Sequence, residues 1–130
     1  MGLTRIAVTI RKLGVEGEPQ SYTATFLVDT GAIDSMVPGA ELKRLGIEPS
    51  DKEFYEMASG KLEEFEIGHA WFAFLGKELP VQVMFGPDNS EPILGVLALE
   101  AAGFVVDPVG ERLKKLPARS LKAMSLKSVA

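Results

Sequence analysis

Hydrophobic and polar residues alternate along much of the chain, which is the period of a β-strand with one buried face. Near the N-terminus, Ile6, Val8 and Ile10 alternate with small or polar residues, and a second β-rich run covers Tyr22 to Val28. Turn residues separate the two runs, so we predict a hairpin. The same signals predict further strands over 54–58, 62–74, 81–85, 104–106 and 112–116, with a hairpin tip near Gly60.

Two segments have the spacing of short helices instead. They cover Ala40 to Leu45 and Val96 to Ala102, and each is followed by a glycine that can end a helix. We therefore predict an all-β fold with two short helices. It forms a single domain over residues 1–117, followed by a basic tail over residues 118–130.

Composition excludes several classes of function. The 130 residues contain no cysteine, so disulfides, thiol nucleophiles and cysteine-ligated metals are excluded. The single histidine, His69, excludes a histidine-rich metal cluster within one chain, and we expect no metal or cofactor. The net charge of −4 argues against a general nucleic-acid partner. No apolar stretch has the length of a membrane span or the pattern of a secretory signal, which predicts no membrane partner and a cytoplasmic location.

One acidic residue stands at a position where a carboxylate is costly. Asp29 follows the apolar run Phe26–Val28 directly, and burial disfavours the charged form of a carboxylate. Thr30 and Gly31 fit a tight turn whose amides and hydroxyl can support that acid. Taken alone, these three residues also fit an ordinary polar strand end.

The surrounding residues extend this motif. Phe26 to Ala32, followed by Asp34 to Pro38, closely resembles the active-site loop of retroviral-type aspartic proteases, and Ile93-Leu94-Gly95 resembles the second signature of that family. The hairpin around Gly60 occupies the position of the family's flap. The resemblance covers about residues 3–117 and implies a retropepsin-like fold, one half of an acid-protease β-barrel that is completed as a homodimer.

The resemblance also implies a mechanism. Acid proteolysis needs two facing carboxylates, one that takes a proton from water and one that polarises the scissile carbonyl. The chain has one Asp-Thr-Gly motif, so the second aspartate should come from an identical chain across a two-fold axis. The expected function is a homodimeric aspartic endopeptidase acting on peptide or protein substrates. The implied catalytic residues are Asp29, Thr30 and Gly31, and the implied substrate-binding residues are Ala32, Asp34, Met57, Ala58, Ser59, Gly60, Ile93, Leu94 and Gly95.

Several interpretations stay open at this point. Asp34 would either select basic substrate side chains or cap a turn. Of Trp71, Phe72 and Phe74, at least two are expected in the core rather than in a pocket. In the related dimers both chain ends join an interface sheet, which here would involve residues 1–6 and 112–117. The alternative to an enzyme is a non-catalytic dimer of the same fold that binds peptides or serves assembly.

Overall fold

The computed structural model describes residues 4–17, 20–107 and 112–115. It confirms a mostly-β chain with two short helices. The helices are α1 (Gly39–Arg44) and α2 (Val96–Ala102). The strands are β1 (Arg5–Arg11), β2 (Ser21–Val28), β3 (Ser35–Pro38), β4 (Asp51–Glu56), β5 (Leu62–Phe74), β6 (Lys77–Gly86), β7 (Ile93–Leu94), β8 (Phe104–Asp107) and β9 (Arg112–Lys115).

Seven strands form one sheet in the order β1-β2-β7-β3-β6-β5-β4. A further antiparallel pairing, with Ile10 opposite Phe72, joins β1 to β5 and closes the sheet on itself. Strand β4 remains outside this closed part and pairs with the first half of β5. The result is a small barrel from which the β4–β5 hairpin extends.

The shortest strand, β7, joins the two strands on either side of the Asp-Thr-Gly motif. It lies between β2 and β3, parallel to β2 with Leu27 opposite Ile93, and antiparallel to β3 with Met36 opposite Ile93. Its two residues therefore connect the strand before the Asp-Thr-Gly motif to the strand after it.

The core forms inside the barrel and beneath the two helices. Alternate residues of the strands point inward, and Phe26 and Phe72 meet edge to face with ring centroids 6.1 Å apart. Phe72 and Phe74 are buried in this core, whereas Trp71 on the opposite face of β5 is only half-buried. The expectation that at least two of these three rings belong to the core is confirmed.

Two strand boundaries differ from the pattern. Strand β4 covers Asp51–Glu56 and ends before Met57 and Ala58, because these two apolar residues form the hairpin turn with Gly60 at φ +86°. Strand β6 begins at Lys77, since Gly76 at φ +75° turns the chain tightly enough to pair Lys77 with Phe74. The hydrophobic pattern of the sequence predicts neither the end of β4 nor the start of β6.

The chain ends are described in part. Strands β8 and β9 form a separate two-stranded sheet with Phe104 opposite Lys115. The predicted tail over residues 118–130 lies outside the described residues, as do residues 1–3, 108–111 and 116–117. The expected interface strands at the two ends therefore stay a prediction.

Candidate active site

Asp29 is the first residue after β2 and is half-buried. Its backbone N–H donates to the carbonyl oxygen of Leu94 at 3.1 Å, and the N–H of Val28 donates to Thr4 at 2.8 Å. These bonds fix the backbone on both sides of the strand end. The end of β2, from which Asp29 follows, is therefore held by Leu94 of β7 and by Thr4 just before β1.

Two backbone amides in the turn after Asp29 donate hydrogen bonds to this residue, one to its side chain and one to its carbonyl. The Gly31 N–H donates to Asp29 Oδ1 at 2.9 Å, and the Ala32 N–H donates to the Asp29 carbonyl at 3.2 Å. A Cβ at position 31 would lie 3.3 Å from Asp29 Oδ1, which is tighter than an ordinary contact. A glycine at this position therefore allows the amide to approach the carboxylate, while Thr30 and Gly31 themselves are exposed.

The first turn of α2 supports the same loop. The N–H of Val96 donates to Ala32 at 2.9 Å, and the N–H of Leu97 donates to Ile33 at 3.1 Å. The first amides of a helix have no acceptor within the helix, and the loop carbonyls supply acceptors for two of them. The loop and the helix start are consequently fixed together.

Gly95 and Ser35 form the buried support of the loop. The Gly95 N–H donates to Ser35 Oγ at 3.0 Å, and Ser35 is only 1% exposed. A Cβ at Gly95 would lie 2.6 Å from the carbonyl carbon and oxygen of Asp34. The backbone of Gly95 is extended, at φ −88° and ψ 173°, so this position needs glycine for space rather than for its dihedral angles.

Asp34 is bound by two side chains of its own chain. The Tyr55 hydroxyl donates to Asp34 Oδ2 at 2.8 Å, and Gln82 Nε2 donates to Asp34 Oδ1 at 3.4 Å. Burial raises the pKa of Tyr55 well above its ordinary value, and the hydrogen bond to Asp34 and the charges of Asp34 and Glu53 raise it further. The hydroxyl is therefore held as a proton donor to the loop.

Comparison with solved structures identifies the architecture. The chain is similar to EIAV protease in complex with the inhibitor HBY-793, with 20% sequence identity, a TM-score of 0.55 and coverage of 78% of this chain and 89% of that one. The chain has a retropepsin-like fold. A retropepsin-like aspartic protease from Rickettsia conorii also matches, with 19% identity, a TM-score of 0.47 and coverage of 82% and 85%. Neither the models of known protein families nor the curated proteins give a match.

The other predicted site residues fall into two groups by position. Ile93 is half-buried beside the loop, whereas Leu94 is fully buried, so its side chain belongs to the core and its carbonyl to the loop. Met57, Ala58, Ser59 and Gly60 are exposed at the hairpin tip. The tip's hydrogen bonds are internal, from Met57 N–H to Lys61 and from Gly60 N–H to Met57, both at 2.8 Å. Contact between the hairpin and the loop is made by Tyr55.

Three supporting residues were missed by reasoning from the sequence: Ser35, Tyr55 and Gln82. Ser35 had a usable signal, because it is a polar residue at the start of the buried strand β3. Tyr55 and Gln82 had none, since their contacts with Asp34 cross 21 and 48 residues of chain.

Within residues 4–17, 20–107 and 112–115, no group of three or more histidines, cysteines, aspartates or glutamates is arranged to hold a metal ion. Among the helices of the same residues, none has the length and hydropathy needed to cross a membrane.

Proposed function

We propose that the protein is a homodimeric aspartic endopeptidase with Asp29 as its catalytic acid. The observation that carries the proposal is the placement of Asp29 in a retropepsin-like fold, at the end of β2 and with Oδ1 accepting the Gly31 amide. A carboxylate that accepts a backbone amide is oriented before any substrate arrives, and such preorganisation is what acid–base catalysis requires.

The second acid would be Asp29 of an identical chain. Two carboxylates at close range share one proton, because both cannot be ionised cheaply. The ionised one takes a proton from water as the water oxygen attacks the peptide carbonyl carbon, and the protonated one gives its proton to the carbonyl oxygen. Proton transfer to the amide nitrogen then allows the C–N bond to break and releases an amine and a carboxylic acid.

The surface around the loop supports pairing with a second copy. Thr30, Gly31 and Ile33 are exposed, with Ile33 68% accessible. A groove of about 180 Å³ adjoins Thr30 and is lined mainly by apolar side chains, among them Val96, Leu99 and Phe104. An identical chain approaching this loop would cover apolar surface and bring its own Asp29 to the site.

The substrate would be an extended peptide between the loop and the β4–β5 hairpin. In this arrangement Ala32 and Ile93 border the peptide from the side of the loop, and the tip residues 57–60 cover it from the other side and exclude water. Leu94 and Gly95 act through their backbones, since both are buried beneath the loop.

The test is cleavage of a peptide library over a pH series by the wild type and by Asp29→Asn. Sedimentation first establishes that both proteins are dimers at the assay concentration, and Asp51→Asn serves as a control for removal of an exposed carboxylate. We expect cleavage by the wild type and the control only, blocked by a peptide mimic with a hydroxyl at the scissile carbon. Cleavage by Asp29→Asn, or by a protein that sediments as a monomer, would contradict the mechanism.

A dimer that cleaves nothing at any pH would refute the endopeptidase. The retropepsin-like fold would stand, and a peptide-binding or assembly role would then be the better explanation of the exposed loop and hairpin.

A further inference from the structure

The carboxylate of Asp34 has both oxygens in contact with donors from its own chain. The bond from Tyr55 to Oδ2, at 2.8 Å, has the usual length for a hydroxyl donor and is strengthened by the charge of the acceptor. The bond from Gln82 to Oδ1, at 3.4 Å, is longer and weaker. Tyr55 is therefore the main partner of this acid.

The Tyr55 ring is held in place on strand β4. It packs edge to face against Phe65 of the neighbouring strand β5, with centroids 5.9 Å apart and planes at 66°. Tyr55 itself is half-buried. Its raised pKa keeps the phenol protonated over the whole range in which a protein of this kind would work. The hydroxyl therefore keeps its proton over this range and remains a hydrogen-bond donor to Asp34.

Asp34 is equally fixed from the other side. Its carbonyl group packs against Gly95, where there is no room for even one more carbon atom, and Ser35 beside it is buried. The hydrogen bond therefore joins the loop that carries Asp29 to strand β4 of the β4–β5 hairpin.

Apolar side chains form most of the groove beside Asp34. This groove, of about 270 Å³, is lined by Pro80, Val81, Leu97, Ala98 and Ala101, together with the polar residues Asp34, Ser35 and Gln82. If Asp34 were free, it would be an acidic group on an apolar rim, which favours a basic side chain with a long aliphatic stem. With Asp34 bound to Tyr55, that attraction is weakened.

We propose that Tyr55 is a specificity-determining residue that holds the Asp34 carboxylate and so withholds it from basic substrate side chains. The proposal rests on the proposed function, since it concerns the peptide bound beside the same loop. It predicts that the enzyme does not favour lysine over an uncharged side chain of the same length, although an acid stands five residues after Asp29.

The experiment compares peptide pairs that differ only by lysine or norleucine at one position, scanned along the peptide. For the wild type we expect the ratio of kcat/KM for the lysine peptide to that for the norleucine peptide to stay at or below about 1 at every position. In Tyr55→Phe, the lysine peptide should gain about tenfold at one position, equivalent to about 1.4 kcal/mol. The gain should vanish in Tyr55→Phe combined with Asp34→Asn.

A matched control separates specificity from stability. Tyr22→Phe removes a hydroxyl from β2, where the ring packs beside Phe26, and should leave every ratio unchanged. A purely structural role of Tyr55 would lower cleavage of both peptides of a pair and leave their ratio as it was. Unchanged ratios in Tyr55→Phe would overturn the proposal while leaving the endopeptidase intact.

Binding measurements keep this test apart from the test of catalysis. The same pairs are titrated against Asp29→Asn with and without Tyr55→Phe, using fluorescence anisotropy of labelled peptides. A lysine preference that appears only with Tyr55→Phe supports the proposal even if the wild type cleaves nothing, and equal affinities overturn it.

Direct evidence for the hydrogen bond comes from alkaline titration. The chain has two tyrosines, so in Tyr22→Phe the phenolate absorbance reports Tyr55 alone. Adding Asp34→Asn should shift the midpoint to lower pH, because a charged acceptor is lost. An unchanged midpoint would overturn the proposal.

Discussion

Replacing Gly95 with alanine tests how the loop is supported. The added Cβ would lie 2.6 Å from the carbonyl carbon and oxygen of Asp34 and from the carbonyl oxygen of Ile33, whereas ordinary contacts begin at 3.4 Å. All three atoms belong to the backbone, so no side chain can rotate away. Because φ −88° suits alanine as well as glycine, the effect arises from space alone.

The magnitude follows from the displacement. The loop has to move by about 0.8 Å to relieve the overlap, and overpacking of this kind costs about 1–3 kcal/mol. A domain of ordinary stability, about 5–15 kcal/mol, stays folded after such a loss. Displacement of a catalytic group by about 1 Å can cost about 100-fold in rate. We therefore expect a folded variant with kcat/KM reduced by about two orders of magnitude.

Two assays and one control measure these effects. Urea unfolding is followed by fluorescence of Trp71, the one tryptophan of the chain, and peptide cleavage is measured on the folded dimer. Gly103→Ala is the control, because at φ +89° it imposes backbone strain of about 1–2 kcal/mol but meets no atom within 4 Å. It should lose comparable stability and keep its activity. If Gly95→Ala is as stable as the wild type, or cleaves as well as Gly103→Ala, the steric reasoning is wrong.

Two further predictions concern Ser35 and Tyr55. Ser35→Ala leaves the buried Gly95 N–H without its acceptor and should lower the free energy of unfolding, measured in urea, by about 1–3 kcal/mol. Ser50→Ala, at an exposed position, should change it by no more than about 0.5 kcal/mol. Equal unfolding midpoints for the two variants would exclude a supporting role for Ser35. The raised pKa of Tyr55 means that the unfolded chain loses this proton first, from about pH 10, so stability is fully present below that pH and falls as pH rises toward the raised value. Tyr55→Phe should therefore lose stability less steeply with pH than the wild type above pH 10, and identical slopes in chemical unfolding at pH 9 to 11 would contradict the raised pKa.

Local sequence patterns were sufficient for most of the elements. Alternation at Ile6, Val8 and Ile10 corresponds to β1, and the glycines after both helices have positive φ, with Gly46 at +82° and Gly103 at +89°. Such features depend only on neighbouring residues. The same holds for the hairpin tip at Gly60.

Contacts between distant residues could not be predicted in the same way. The period of a strand does not show which strand it will pair with, and β7 has too few residues to have a period at all. The hydrogen bond from Tyr55 to Asp34 depends on where strand β4 lies relative to the loop, which is a property of the assembled sheet. The Asp-Thr-Gly motif and Gly95 could be recognised from the sequence, whereas the contacts of Tyr55 and Gln82 with Asp34 could not.

The position of β7 has a consequence for the order in which the protein can form. The bond from Gly95 to Ser35 closes 60 residues of chain, and β7 must insert between two strands made much earlier. Ribosomes deliver the N-terminal part first, and contacts of long sequence separation slow folding. A nascent chain that has not yet reached Leu94 and Gly95 lacks the acceptor of the Asp29 amide and the glycine that binds Ser35. The support of the Asp-Thr-Gly turn is therefore completed only after residues 93–95 have been synthesised.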